Sequence, residues 1–292
     1  MSVFDNLPFR IQRDANEYYH SQTSYISSSA IKRICKQSVL HQLEADRPSG
    51  TALTVGSALH TLVLEPDLFQ NEFLVLDEVI NKRTKAGKAT LAKWHSIAAE
   101  TNRDILEKSD HEMILRMRAS VHKCSINTHM IDNCEIEKSF YVDDFHGCRV
   151  RIRPDAYCAN PDETVAGAPT QPYIMDLKSC QDASPRAFKG DMYKYGYHIQ
   201  AAFYLDVLSY TCKAWAAYHG LPDFPVFNDF YFMAVEKKKP YATQLYKLSE
   251  QLIADGRKQY LKALRLWKHF LDTNEVTSYH YENQEGVIIT LG

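Results

Sequence analysis

The stretch Pro172-Tyr-Ile-Met-Asp-Leu-Lys-Ser179 is an apolar run that leads into two charged residues. Because side chains alternate between the two faces of a β-strand, Asp176 and Lys178 point to one face and Leu177 points to the other, into the core. A carboxylate and an ammonium group are therefore expected side by side at the end of a buried strand. Such triplets are common, so the meaning of this one depends on the rest of the chain.

Composition narrows the class of protein. The 292 residues suffice for one large domain or two small ones, and 45% hydrophobic with 24% charged residues is ordinary for a soluble globular protein. No apolar run approaches the roughly 20 residues of a membrane helix, and residues 1–13 lack the apolar segment of a signal peptide. We therefore expect a cytoplasmic protein without a membrane partner. The net charge of −2 argues against non-specific coating of nucleic acid, but it allows a local basic groove.

The cysteines give no sign of a metal or disulfide framework. There are seven, an odd number, and no two of them form a C-x-x-C pair. In a cytoplasmic protein this pattern is typical of reduced, mostly buried thiols rather than of a zinc site.

The N-terminal part is predicted to be mainly helical up to residue 130, after a polar and aromatic arm or edge segment at residues 1–22. Serines followed by regularly spaced apolar residues predict a capped helix over residues 25–43, and Pro66 ends a short helix that begins near Thr54. Further helices are predicted near residues 91–106 and 111–122. Gly56 and His60 share a helix face, where the glycine is expected to let the helix approach another backbone closely. His60 by itself is more typical of a core or surface histidine than of a functional one.

Two basic segments of this part each allow two interpretations. Ser27, Ser28 and Ser29 are helix-cap candidates, but with Lys32 and Arg33 they also suit an anion at a helix N-terminus. Residues 81–88 hold four cations and no apolar anchor, which predicts a mobile basic loop. That loop is either a solvated connector or a clamp on a phosphate backbone.

The C-terminal part, residues 131–275, is predicted to form the sheet core, followed by a tail over residues 276–292. Alternating residues predict a β-hairpin over residues 135–153 that ends at Pro154-Asp155, and a Pro- and Gly-rich surface loop separates it from the Asp176 strand. The pattern then predicts a short helix at 184–189, a long helix from 193 to between 208 and 218, strands at 228–236 and 241–248, and a helix at 251–271. This order indicates an α/β fold with a mixed sheet flanked by helices, in one domain.

Four separate signals fit the chemistry of phosphodiester cleavage, which needs an activated water and cations against the developing negative charge. Mg²⁺ prefers a few carboxylates, which Asp155 and Asp176 can supply from adjacent strand ends, and the backbone carbonyl of Leu177 adds a neutral oxygen. Lys178 can orient or help to deprotonate the water, or offset charge on the phosphate. His60 is a further candidate ligand, which favours Mn²⁺ or a second ion.

The remaining candidates surround this centre. Gln200 and Tyr204 lie four residues apart on one face of the long helix, where they can hold the nucleic-acid strand or the carboxylates. Glu137 is an additional acidic candidate whose face on the strand the sequence leaves open.

Together these motifs resemble the PD-(D/E)XK nucleases of the RecB-type branch, which carry a GxxxH helix, an Asp ending a hairpin strand, a D-x-K strand and a QxxxY helix. The sequence of these motifs and of the residues around them most closely resembles the RecE-type exonucleases of phages and prophages (exonuclease VIII-like). The segments that carry this similarity are Gly56-Ser-Ala-Leu-His60, Leu64-Glu-Pro66, Arg83-Thr-Lys-Ala-Gly-Lys88, Arg153-Pro-Asp155 and Tyr197-His-Ile-Gln200. They span roughly residues 25 to 250.

This resemblance implies a PD-(D/E)XK core and a Mg²⁺-dependent 5′→3′ exonuclease that acts on double-stranded DNA ends and leaves a 3′ single-stranded tail. It further implies a homo-oligomeric ring, a trimer or a tetramer, that acts beside a single-strand annealing protein of the RecT type. It favours the 5′-phosphate interpretation of the serine segment. The DNA and 5′-phosphate contacts expected on this basis are Ser28, Ser29, Lys32, Arg33, Arg83, Lys85, Lys88 and Arg153. Some RecB-type nucleases hold an iron–sulfur cluster with three C-terminal cysteines, but no cysteine follows Cys212, so we expect none here.

Two alternatives remain at this stage. The same core also supports an endonuclease or a nickase, which the four motifs do not separate from an exonuclease. A catalytically silent DNA-binding or assembly subunit is the alternative from another class. The intact set of Asp155, Asp176 and Lys178 argues against it, because a silent protein has no physical need for such a cluster.

Overall fold

The structure is a computed structural model, and it describes residues 8–46, 50–76, 78–276 and 278–279. Almost all of the predicted C-terminal tail and the first residues of the predicted arm lie outside the described residues. The strands are β1 (Phe9–Arg13), β2 (Ile26–Ser27), β3 (Phe73–Val75), β4 (Asp104–Leu106), β5 (Glu135–Ile136), β6 (Lys138–Phe145), β7 (Cys148–Ile152), β8 (Ala156–Cys158), β9 (Tyr173–Cys180), β10 (Asp229–Glu236) and β11 (Thr243–Lys247).

The helices alternate with these strands. They are α1 (Asn16–Ser21), α2 (Ser28–Lys36), α3 (Val39–Leu43), α4 (Thr51–Leu64), α5 (Phe69–Glu72), α6 (Lys85–Thr101), α7 (Lys108–His122), α8 (Ser125–Asp132), α9 (Pro185–Tyr195), α10 (Tyr197–Tyr218) and α11 (Glu250–Thr273), with a short 3₁₀ turn at Pro66–Leu68. The fold is therefore mixed α/β, as the order of sequence patterns predicts. Within the described ranges, no helix is both long and apolar enough to cross a membrane.

The strands form two main sheets. One has the order β1-β6-β7-β2 and the other has the order β11-β10-β9-β8-β5, while β3 and β4 form a small separate pair. The second sheet is mixed, because β9 runs parallel to β10 but antiparallel to β8. One face of this sheet, which carries Ile174 and Phe232, packs against α10. The opposite face, which carries Leu177 and Met233, packs against α4 and α7. The core thus covers β9 on both faces, which explains its continuous apolar run.

Both strands of the hairpin cross from one main sheet to the other at the same position along the hairpin. β5 continues into β6 through Glu137, whose φ is 50°, and β7 continues into β8 through residues 153–155. The Glu137 backbone N–H donates to the Asp155 carbonyl over 3.1 Å at this level. The bend therefore brings Glu137 and Asp155 together beside β9. In a straight hairpin, these residues would continue the hydrogen-bonded pairing of the two strands.

Several predictions of local structure need correction. The predicted helix over residues 25–43 is two helices, because Ser38 caps a new one, and Ser27 caps the first by accepting the Ala30 N–H. The prediction of a loop over residues 81–88 is wrong from Lys85 onward. Helix α6 begins there, and Thr84 caps it by accepting the Gly87 N–H. Residues 9–13 of the predicted arm or edge segment form the edge strand β1, which pairs with β6.

The expectation for Gly56 is also wrong. A β-carbon added there would meet no described atom within 4 Å, so the glycine does not serve a close helix contact. The close approach occurs at Gly256 in α11 instead. A β-carbon at Gly256 would lie 2.1 Å from the His198 carbonyl oxygen of α10. This glycine sets the distance between the two long helices that cover the sheet.

We expect Gly256→Ala to lower the free energy of unfolding by about 1–3 kcal/mol, because the added methyl group must displace a helix backbone in a packed core. Gly190→Ala in α9 is the matched control. Its added methyl group meets nothing within 4 Å, so the better helix propensity of alanine should leave stability unchanged or raised. Chemical denaturation of both variants measures the difference. Equal stabilities would contradict the close α10–α11 approach.

Candidate active site

Asp176 lies in the middle of β9, four residues into the strand, rather than at its end as the sequence suggests. Its side chain is 1% exposed and is held from two sides. Gln200 Nε2 of α10 donates to Asp176 Oδ1 over 2.6 Å, and the Lys178 ammonium forms an ion pair with Oδ2. Both partners come from the face that Asp176 and Lys178 share, so the alternation predicted from the sequence is confirmed, with Leu177 fully buried on the opposite side.

Asp155 lies beside Asp176, at the bend between β7 and β8. Its Oδ2 accepts the Leu177 backbone N–H over 2.8 Å and lies 3.2 Å from His60 Nδ1 of α4. In a strand the N–H and C=O of one residue point to the same neighbour, so the Leu177 carbonyl also faces the Asp155 side. The structure therefore brings His60, Asp155 and the Leu177 carbonyl to one edge of β9.

Glu137 completes this edge, and the bend at the two hairpin strands places it there. Ligand atoms of His60, Glu137 and Asp155 all lie within 4.8 Å of one another. Carboxylate and imidazole donors at this separation suit Mg²⁺ or Mn²⁺. Asp176 Oδ2 is buried without a hydrogen bond, apart from its ion pair with Lys178. The residues present therefore fit a divalent cation, with Asp176 beside the three-residue cluster and engaged by Lys178 and Gln200.

The charges at this edge shift one another's pKa values. Burial and the nearby Asp155 carboxylate raise the pKa of Glu137 to about 8, against Arg153, which lowers it. Burial and Asp155 also raise the pKa of Asp176. Burial disfavours charge on Lys178, but the Asp176 and Asp155 carboxylates outweigh it and raise the pKa of the ammonium. Such an excess of crowded acid is typical of a site that binds cations.

Arg153 was predicted to contact DNA, but the structure gives it internal partners. Its Nε lies 2.9 Å from Glu137 Oε2, and its Nη2 donates to Asn16 Oδ1 over 2.7 Å. The guanidinium also lies 4.4 Å from the centre of the Tyr19 ring. Arg153 thus links the acidic edge to α1. This role depends on the contact with Asn16, which is 137 residues away in sequence, and no local sequence pattern predicts such a contact.

Lys32 of α2 lies near Asp176 and Lys178. Its Nζ donates to Gln200 Oε1 over 3.1 Å, which fixes the amide so that Nε2 faces Asp176. Burial and the neighbouring Lys178 lower the pKa of Lys32 to about 8. Of the sequence-predicted 5′-phosphate residues, Lys32 is thus the one that the structure brings into contact with the site.

Ser28 lies one turn before Lys32 on the same face of α2. The Lys36 ammonium contacts the end of α9 next to Gly196, and Lys32 contacts Gln200, so α2 and α10 run antiparallel along this face. The Ser28 hydroxyl is buried and has no hydrogen-bond partner. Tyr204 is 7% exposed, and burial raises its pKa well above the ordinary value.

The other predicted DNA contacts lie elsewhere. Arg33 donates to Gln42 Oε1 over 2.7 Å, toward α3. Ser29 is exposed beside the α2 N-terminus. Exposed positions at and before the first turn of α6 hold Arg83, Lys85 and Lys88. Among the described residues, no recorded hydrogen bond or ion pair joins these three to the acidic edge.

Comparison with known proteins agrees with this geometry. Residues 27–283 match a family described as a PDDEXK-like domain of unknown function (DUF3799). The chain belongs to this family. The match includes the whole acidic edge, together with Asp176, Lys178 and Gln200. No curated protein matches the chain significantly.

Solved structures support the fold. A protein described as "Putative exonuclease" from Eubacterium rectale superposes with a TM-score of 0.57 at 13% identity, over 96% of both chains. The crystal structure of SSO0001 overlaps with a TM-score of only 0.26 at 13% identity, over 72% of this chain and 86% of that one, and bears on no conclusion here. The DUF3799 chain therefore shares its α/β architecture with the first of these proteins.

The raised pKa of Glu137 predicts a pH-dependent effect of metal on stability. Without metal, the folded state keeps a proton on Glu137 up to about pH 8, whereas an unperturbed glutamate ionises near 4.5. Folding therefore takes up a proton in this window, so this group's contribution to stability is lost as pH rises through it. A cation needs the ionised carboxylate. We expect the increase in Tm caused by Mn²⁺ to be larger at pH 8 than at pH 6.

Thermal unfolding with and without Mn²⁺ across this range measures the effect, and two variants isolate its origin. Glu137→Gln should flatten the dependence on pH. Glu135→Gln, which changes an exposed carboxylate paired with Lys138, should leave it intact. An increase in Tm that is the same at both pH values would contradict the assignment of Glu137 to the cation site.

Proposed function

We propose that this DUF3799 protein is a metal-dependent deoxyribonuclease that hydrolyses phosphodiester bonds. The observation that carries the proposal is the convergence of side chains beside β9: ligand atoms of Asp155, Glu137 and His60 lie within 4.8 Å of one another, and Asp176 holds Lys178 next to them. A carboxylate cluster with an adjacent ammonium group suits a reaction in which negative charge develops on a phosphate. The exonuclease description of the neighbour from Eubacterium rectale supports the same class.

Each residue has a defined task in this reaction. A divalent cation, when bound, lowers the pKa of a water and offsets phosphate charge. Asp155 and Glu137 offer carboxylate oxygens to it, and His60 and the Leu177 carbonyl add neutral donors. Gln200 holds the Asp176 carboxylate in one orientation, and Asp176 in turn holds the Lys178 ammonium at the edge. Lys178 stabilises the charge on the scissile phosphate and orients the attacking water.

We further propose 5′→3′ exonuclease action on linear duplex DNA, which leaves 3′ single-stranded tails. The support is the α2 face beside the site, where the unpartnered Ser28 hydroxyl and the Lys32 ammonium can hold a terminal phosphate. This arrangement accords with the resemblance to RecE-type exonucleases. The same resemblance supports Mg²⁺ as the natural ion with Mn²⁺ as a substitute, a trimeric or tetrameric ring around the duplex, a RecT-like annealing partner in recombination, and a cytoplasmic location.

Digestion of labelled DNA tests activity and polarity together. Linear duplexes labelled at the 5′ or the 3′ end are incubated with Mg²⁺, beside a closed circular duplex of the same sequence. The proposal expects early release of the 5′ label, late release of the 3′ label and no cutting of circles. Cutting of closed circles would favour an endonuclease on the same core, and early release of the 3′ label would reverse the polarity.

Lys178 and Asp176 should fail in different ways when they are changed. Lys178→Ala is expected to retain binding of DNA and of Mn²⁺ but to lose at least about 100-fold in cleavage rate, since a group that acts in general acid–base or charge stabilisation contributes that much. Asp176→Ala should also weaken Mn²⁺ binding, because it removes a carboxylate next to the cation edge. Calorimetry with Mn²⁺ and single-turnover cleavage separate the two. Cleavage by Lys178→Ala at the normal rate would contradict the role assigned to Lys178.

A further inference from the structure

The corner between α9 and α10 carries aromatic rings beside Lys178 that the cleavage chemistry does not use. Tyr197 lies directly under the catalytic lysine, with its ring centre 5.1 Å from Lys178 Nζ. Tyr195 stacks on Tyr197 with ring centres 5.6 Å apart and an angle of 27° between the planes. Tyr197 is covered in addition by Phe188 and Phe232, whereas Tyr195 is 46% exposed. The stack therefore begins at the site and ends at a ring that faces solvent.

The backbone of this corner is held by contacts from α2. Gly196 joins the two helices in the left-handed conformation, with φ of 67°. Lys36 Nζ donates to the Tyr193 carbonyl at the end of α9 over 3.1 Å and also contacts the Lys194 carbonyl. These bonds cap the helix from α2, which itself carries Lys32 to Gln200. The helix that orients Gln200 through Lys32 therefore also holds, through Lys36, the backbone just before Tyr195.

The charges around the ring suit a nucleic acid. Lys194 Nζ lies 5.1 Å from the centre of the Tyr195 ring, and Lys178 and Lys32 lie near Tyr197. Aromatic rings between lysines are the usual means by which proteins bind single-stranded nucleic acid, because the rings stack on bases while the cations contact phosphates. A paired base inside a duplex offers no free face to such a ring.

We propose that Tyr195 is a stacking platform for an unpaired nucleobase next to the scissile phosphate. The proposal rests on the proposed function and deepens it: the duplex end opens by one or two base pairs before cleavage, and a base of the opened strand stacks on Tyr195 in the place of the Lys194 ammonium, which turns from the ring to the phosphate. Stacking on Tyr195 offsets part of the cost of unpairing. Tyr195 is thus a binding residue, and Lys178 acts on the phosphate that the stacked nucleotide positions.

The test couples the ring to the base. Three linear duplexes are compared: one is intact, one carries mismatched and therefore unpaired bases at the last two positions of the degraded strand, and one has abasic residues at those same positions. Initial rates in Mg²⁺ give kcat/KM for each duplex with the unmodified protein and with Tyr195→Ala. We expect the abasic end, relative to the mismatched end, and Tyr195→Ala on the mismatched end each to lower kcat/KM about 5- to 150-fold, as loss of one stacked base does. Because both changes remove the same contact, the abasic end should cost Tyr195→Ala nothing further.

Two further variants keep the result specific. Tyr195→Phe retains the stacking face and should behave as the unmodified protein. Tyr218→Ala removes a tyrosine that is also 46% exposed, at the far end of α10 about 30 Å away, and should have no effect. Full activity of Tyr195→Ala, equal loss in Tyr195→Phe, or independent effects of ring and base would overturn the proposal. Failure of the unmodified protein to digest the intact duplex would instead overturn the proposed function, and the platform with it.

Discussion

The buried carboxylate of Asp176 is the group on which the arrangement of the site depends. An ion in the interior loses several kcal/mol of hydration and persists only where other groups replace it. At Asp176 the replacement comes from the same strand through Lys178 and from α10 through Gln200. Gln200 is in turn oriented by Lys32 of α2. A single buried charge therefore fixes β9, α10 and α2 relative to one another, and the fold and the chemistry share this constraint.

The second determinant is the bend at which the hairpin leaves one sheet and enters the other. It interrupts regular pairing at Glu137 and at residues 153–155, so backbone and side chains that would continue a ladder turn instead toward β9. Asp155 then meets the Leu177 N–H, and Glu137 meets Arg153. Broken pairing at the edge of a sheet is a common way to build a functional site, because it re-aims side chains without loss of the surrounding core.

The sequence predicted the parts of the site that depend on local periodicity. Alternation along β9 gave the shared face of Asp176 and Lys178, and spacing of four residues gave the shared helix face of Gln200 and Tyr204. The helix start at Thr84 also follows a local rule, since a threonine hydroxyl can cap a helix by accepting the backbone N–H three residues on, here that of Gly87. The sequence prediction missed this helix start, because the four cations of residues 81–88 favoured a loop.

What the sequence could not supply depends on contacts between distant segments. The face of Glu137 depends on a single residue with positive φ, and the partners of Arg153 lie in α1, far away in the chain. Gly56 misled for the same reason: the pattern shows a small residue, but only the neighbouring helices decide whether another backbone approaches it.

The central claim is that the bend at Glu137 and Asp155 holds a divalent cation beside Asp176. Anomalous diffraction from crystals soaked in Mn²⁺ tests it most directly. We expect a strong peak about 2.2 Å from carboxylate oxygens of Asp155, with His60 and either Glu137 or Asp176 among the other ligands. A fully bound Mn²⁺ at another position, with these carboxylates free of metal, would contradict the account.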